Sequence, residues 1–136
     1  MPEPPESTTR QLAAQRDEPS SMRSPVSARL EKQARNETFF RLVNELTEDA
    51  NDARVGIDRL YDEYLCECSN RGCRDPIRLT RREYEAVRSV PTWFAITLNH
   101  QNPEIDRVLG ENERFATVEK LPGVGERIAR ATDPRQ

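Results

Sequence analysis

No stretch of this chain approaches the roughly 20 consecutive apolar residues that a membrane-crossing helix requires. Its N-terminus, rich in Pro, Glu, Ser and Gln, also lacks the apolar segment of a secretory signal. No membrane is therefore expected as a partner, and the expected compartment is cytoplasmic. Lysine is nearly absent: Lys32 and Lys120 are the only ones, and arginine carries the remaining positive charge. A GC-rich coding sequence produces that bias without any demand for guanidinium chemistry at phosphates. Apolar bulk is scarce too, with 35% hydrophobic against 33% charged residues, so the core must be small and part of the chain must stay outside it. A net charge of −3 argues against a general polyanion binder, which needs clustered positive charge. At 136 residues the chain has room for about one domain.

Residues 1–26 carry Pro2, Pro4, Pro5, Pro19 and Pro25 among polar side chains and show no apolar periodicity. Such a segment cannot bury enough surface to offset its ordering entropy and is read as a disordered arm, with residues 27–136 as the domain. From Ser27, a candidate N-cap, a helix is expected over Ala28 to about Ala50. Phe39, Leu42, Val43 and Leu46 mark one face of it, while Glu45, Glu48 and Asp49 are expected on a solvated face. Val55, Ile57 and Leu60 then lead through a turn or short helix. Tyr64–Cys68 and Ile77–Leu79 read as a hairpin closed by the loop from Ser69 to Pro76. Thr80-Arg81-Arg82-Glu83 has capping-box spacing, which predicts a helix that buries Tyr84 and Val87 and stops before Pro91. Trp93–Leu98 reads as a buried strand, with Trp93 and Phe94 as core residues rather than base-stacking platforms. Asn102-Pro103-Glu104 reads as the start of a helix carrying Ile105, Val108 and Leu109 and ending at Gly110. Arg114–Lys120 is expected as a strand and Gly125–Ala131 as a last helix. The fold class is α+β: a long N-terminal helix, a cysteine-bearing hairpin and a small mixed sheet with short helices.

The three cysteines stand as C-x-C-x4-C at Cys66, Cys68 and Cys73. In a reducing compartment an odd number of clustered thiols reads as metal ligands rather than a disulfide framework. Alternate residues of a strand share a face, so Cys66 and Cys68 can aim at one ion while the loop returns Cys73 over it. Arg71-Gly72 supplies the sharp bend. His100, the one histidine, is in phase with Phe94, Ile96 and Leu98 and is the candidate fourth ligand of a Cys3His site. Thiolate with imidazole in a non-redox setting selects zinc.

These residues also carry a resemblance. Tyr64-Leu65-Cys66-Glu67-Cys68 through Cys73, Ile77–Thr80, Glu83–Arg88, Pro91–Phe94, His100, Asn102–Glu104 and Val118–Lys120, with Ala34–Glu37, Phe40-Arg41 and Val43–Glu45 upstream, are similar to a family of small uncharacterised bacterial proteins, chiefly actinobacterial. The resemblance spans roughly residues 30–135 and implies the same domain limits, but no activity. Members of that family place a glycine just before the histidine, where this chain has Asn99.

A candidate anion-binding set comprises Arg78, Arg81 and Arg82 with the turn glycines Gly123 and Gly125. Leu121-Pro122-Gly123-Val124-Gly125 resembles the turn of helix-hairpin-helix modules, whose amides hold a phosphate. Such a motif needs a preceding helix, however, and Arg114–Lys120 reads as a strand. No pair of acids, and neither H-E-x-x-H nor H-x-E with P-C-x-x-C, indicates catalysis. The expected function is a zinc-stabilised interaction module with an unidentified protein partner and no catalytic residues. The alternatives are a nucleic-acid-associated protein using the arginine face or the glycine turn, and a zinc enzyme or thiol redox sensor.

Overall fold

The computed structural model describes residues 24–52 and 60–136; the expected arm up to residue 23, Val55 and Ile57 lie outside them. Helix α1 spans Pro25–Asp52. It starts three residues before the expected position, because Ser24 rather than Ser27 caps it: the Ser24 hydroxyl accepts from the Ser27 amide at 3.0 Å, and Pro25 takes the first helical position. Strands β1 (Asp62–Leu65) and β2 (Pro76–Leu79) form an antiparallel hairpin, with Leu65 opposite Pro76; β1 starts two residues before the expected Tyr64 and ends before the cysteines, which follow it in the loop. Helix α2, Arg81–Arg88, carries the capping box in full: the Thr80 side chain accepts from the Glu83 amide and Glu83 from the Thr80 amide. Strands β3 (Trp93–Ile96), β4 (Asp106–Glu111) and β5 (Ala116–Lys120) form a sheet of order β3-β5-β4, antiparallel throughout rather than mixed. Helix α3, Val124–Ala131, follows. The arrangement is α+β.

One helix expected from the sequence is a strand. Asn102 does act as a cap, its side chain accepting from the Glu104 amide at 3.1 Å, and the Ile105 and Asp106 amides return to the Asn102 carbonyl. The chain completes only that turn. Beyond it Val108 pairs with Val118 across the ladder, and the buried Asp106 carboxylate accepts from Lys120 Nζ at 2.6 Å. Sheet pairing and an internal ion pair outweigh a proline-initiated first turn, and Gly110 falls at the bulge in β4 instead of ending a helix.

The larger departure is which face of α1 is buried. Phe39, Leu42 and Leu46 are 40, 46 and 61% exposed, whereas Glu37, Arg41, Asn44 and Glu48 lie in the interior with Ala34 and Phe40. Each buried polar group has a partner supplied by another element. Glu37 pairs with Lys120. The Arg41 guanidinium donates to the Pro91 carbonyl at 2.6 Å and the Ala129 carbonyl at 2.8 Å, and lies 4.7 Å over the Phe94 ring. Asn44 brackets Leu65, donating to its carbonyl and accepting from its amide, both at 2.8 Å. Glu48, expected in solvent, accepts from Arg135 at 2.9 Å, and Arg135 also binds Glu45 and Glu85, tying the C-terminal residues to α1 and α2. These bonds select the face, since a buried donor or acceptor left alone costs more than an exposed leucine.

Around the sheet two apolar groups form. Phe94, Ile96, Ala116 and Val118 pack with Ala129 and the three cysteines on one side. Ala95 and Phe115 pack with Tyr64, Ile77, Leu79, Tyr84 and Val87 on the other, with Tyr64 and Tyr84 stacked at 4.3 Å. Gly125 lies where α3 crosses Lys120: an added Cβ would stand 3.2 Å from Lys120 Cδ and 4.0 Å from Ala34 Cβ, so the glycine permits that approach.

Two stability tests follow from these contacts. Lys120→Ala leaves the buried Glu37 and Asp106 carboxylates without their cation and is expected to cost about 3–5 kcal/mol in urea unfolding. Arg114 donates to both Glu83 oxygens, at 2.9 and 2.6 Å, and holds that carboxyl below its ordinary value. A depressed carboxyl stabilises the fold above its unfolded pKa of about 4.5 and loses that contribution as pH falls through the folded value. Glu83→Gln should therefore flatten the acid limb of a stability–pH profile.

Candidate metal centre

Cys66 and Cys68 follow directly on β1, and Cys73 returns in the loop before β2. The Asn70 side chain braces that loop by accepting from the Gly72 amide at 3.0 Å, and the Cys66 amide donates to the Asp75 carbonyl at 2.9 Å. The extended run Cys66-Glu67-Cys68 puts both sulfurs on one side and the Glu67 carboxylate on the other. His100 arrives differently from the strand phasing expected of it. β3 ends at Ile96, and a turn closes with the His100 amide donating to the Thr97 carbonyl at 3.1 Å. Asn99 makes that turn with φ of 70°, the left-handed region that glycine and asparagine tolerate best. Asparagine at this position therefore meets the backbone requirement of the turn.

The result is a group of four ligand atoms, from Cys66, Cys68, Cys73 and His100, all within 4.8 Å of one another. His100 Nδ1 lies 3.5 Å from Cys66 Sγ and 3.7 Å from Cys73 Sγ. A tetrahedral zinc with ordinary Zn–S and Zn–N bonds has an S···N edge of about 3.6 Å. His100 Nε2 is 3.5 Å from Asp75 Oδ2, so the acid faces the nitrogen turned away from the sulfurs, as the outer partners of metal-bound imidazoles do. Sequence reasoning did not place Asp75 beside His100; two positions after Cys73 in a charged loop, it gives no signal of its own.

All three cysteines are free thiols and buried, and backbone amides approach their sulfurs. The Thr97 amide donates to Cys66 Sγ at 3.1 Å, and the Asn70 and Asp75 backbones serve Cys68 and Cys73. Without an ion the three share protons unequally. The hydrogen bond between Cys66 and Cys68 draws the Cys68 thiol down to about 5 and pushes the Cys66 thiol up, with burial adding to the rise at Cys66. Burial also raises the Cys73 thiol. A cation would replace the protons on Cys66 and Cys73.

The candidate anion-binding residues are spread over β2, the first turn of α2 and the start of α3 with its cap. Arg78 lies 5.2 Å over the Tyr61 ring. Arg81 is paired with Asp52 and stands 3.9 Å from Glu48, while Arg82 is exposed on α2. Gly123, with φ of 134°, caps α3 after a strand rather than a helix, and Gly125 is buried against Lys120.

The turn that delivers His100 can be tested by itself. Asn99→Gly should leave urea stability nearly unchanged, whereas Asn99→Val, forced to a positive φ, should cost about 1–2 kcal/mol. Compared with known proteins, the chain matches no family model, no curated protein and no solved structure.

Proposed function

We propose that this chain is a zinc-stabilised interaction module in which Cys66, Cys68, Cys73 and His100 Nδ1 hold one zinc ion in a closed site. The observation that carries the reading is the position of His100 Nδ1 between two thiol sulfurs at 3.5 and 3.7 Å, the spacing a tetrahedral zinc requires. The buried, amide-bonded sulfurs and the Asp75 carboxylate behind the imidazole support it. Soft thiolates with an imidazole suit zinc and disfavour hard cations. Four protein ligands complete a tetrahedron, which is the arrangement of structural rather than catalytic zinc.

The chemical role follows from where the ligands sit. The ion would join the loop between β1 and β2 to the turn after β3. A domain so small and polar gains from the ion what it lacks in core. Against a nucleic-acid role, Arg81 is engaged by Asp52 and Glu48, which weakens the positive field that phosphate binding needs.

Elemental analysis of the full chain purified without chelator should give one zinc per chain. Competition with a chromophoric chelator should show His100→Ala binding more weakly than the roughly 10–100-fold loss typical of removing an outer partner. Affinity should also fall as pH falls, because Cys66 and Cys73 must give up protons to bind. A wild-type chain that carries no metal and gains no thermal stability from added zinc would sink the reading.

A further inference from the structure

The exposed face of α1 has an order that exposure alone does not require. Lys32, Arg35, Phe39, Leu42, Leu46 and Asp49 recur at alternating spacings of three and four residues, and all six face outward. That spacing makes a straight seam along a helix and is the pattern by which two helices pack at a shallow angle, side chains of one fitting between those of the other. The seam runs about 26 Å. Its middle is apolar, its N-terminal end basic and its C-terminal end acidic.

The charges are arranged about Leu42. Arg35, which bonds Glu31 one turn before it in its own helix, precedes it by seven residues and Asp49 follows it by seven. A two-fold axis through Leu42 would bring Arg35 of one chain to Asp49 of the other and Phe39 against Leu46. A parallel pairing would instead stack Arg35 on Arg35 and Asp49 on Asp49. Like charges facing each other are costly, and an isologous interface must complement itself.

We infer that this face binds a second copy of the chain, α1 against α1 in antiparallel orientation about an axis at Leu42. This deepens the reading of the chain as an interaction module by naming its partner, and it rests on that part alone, since no metal ligand lies in the seam. Leu42 and Leu46 become the dry centre beside Phe39, whose ring carries the Arg71 guanidinium at 4.7 Å, and the charged ends set orientation. The polar face of α1 stays engaged with its own domain through Glu37, Arg41 and Asn44, so both faces of the helix are used at once.

Sedimentation equilibrium on the full chain as purified, from micromolar to millimolar concentration, should give a monomer–dimer equilibrium. Leu42→Glu places two carboxylates on the axis and should raise the dissociation constant at least about a hundredfold. Arg35→Glu and Asp49→Arg should each raise it about tenfold or more, and the double variant should return it to within about threefold of wild type. Circular dichroism melts taken below the wild-type dissociation constant, where every chain is monomeric, and zinc content should match wild type in every variant, which separates this inference from the metal reading. A wild type that stays monomeric throughout overturns the proposal, as does a dimer indifferent to Leu42→Glu. A double variant no better than its parents overturns the antiparallel orientation.

Discussion

The Glu67 carboxylate is the constraint around which this fold is arranged. It is fully buried, and an ionised group there is tolerable only when its oxygens are occupied. Oε2 accepts from Asn44 on α1 and Tyr84 on α2, each at 2.9 Å, and Oε1 accepts from the Ala95 amide of β3 at 3.0 Å. The Glu67 amide donates back to the Ala95 carbonyl at 2.9 Å, so the residue binds the edge of β3 with both its backbone and its side chain. One side chain thus joins two helices and a sheet. Burial raises the Glu67 carboxyl, and the donors from Asn44, Ala95 and Tyr84 work against that rise. Because side chains alternate along an extended chain, the same anchorage turns Cys66 and Cys68 together to the opposite side, toward His100.

The polar interior of α1 has a related logic. Glu37, Arg41, Asn44 and Glu48 recur on one face and meet a cation, two carbonyls, a strand end and the C-terminal arginine in turn. Buried pairs of this kind add little net stability over apolar packing, but each demands a particular partner. Removing one member leaves a charge with nothing to answer it. The domain therefore gains definition from polar contacts where a larger protein would use apolar volume, and a closed metal site is consistent with that economy. The same choice leaves Phe39, Leu42 and Leu46 exposed.

Short-range chemistry was legible in the sequence. The capping box at Thr80 and Glu83 is a local pattern whose partners lie three residues apart, and it forms as expected; the strand into Lys120 and the helix to Ala131 start within two residues of their expected positions, while the first hairpin strand, expected over Tyr64–Cys68, runs Asp62–Leu65 and leaves the cysteines beyond it. C-x-C-x4-C with one histidine pointed to the four side chains that stand together, because thiol clustering is itself a local signal. Asp106 and the segment after it went the other way, since a proline-capped turn looks the same whether or not a strand lies ready to pair beyond it.

Residue identity and spacing by themselves determined the α+β class, the limits of most elements and which four side chains gather. Tertiary structure alone decided which face of α1 is buried, how His100 reaches the sulfurs and that Asp75 stands behind it. The apolar stripe of α1 predicts the wrong inner face because hydrophobicity is a sum over one helix, whereas the satisfaction of Glu37, Arg41 and Asn44 depends on atoms of β5, the Pro91 turn, α3 and β1. Partners so distant in sequence leave no local pattern, and in this chain they outweigh the pattern that is present.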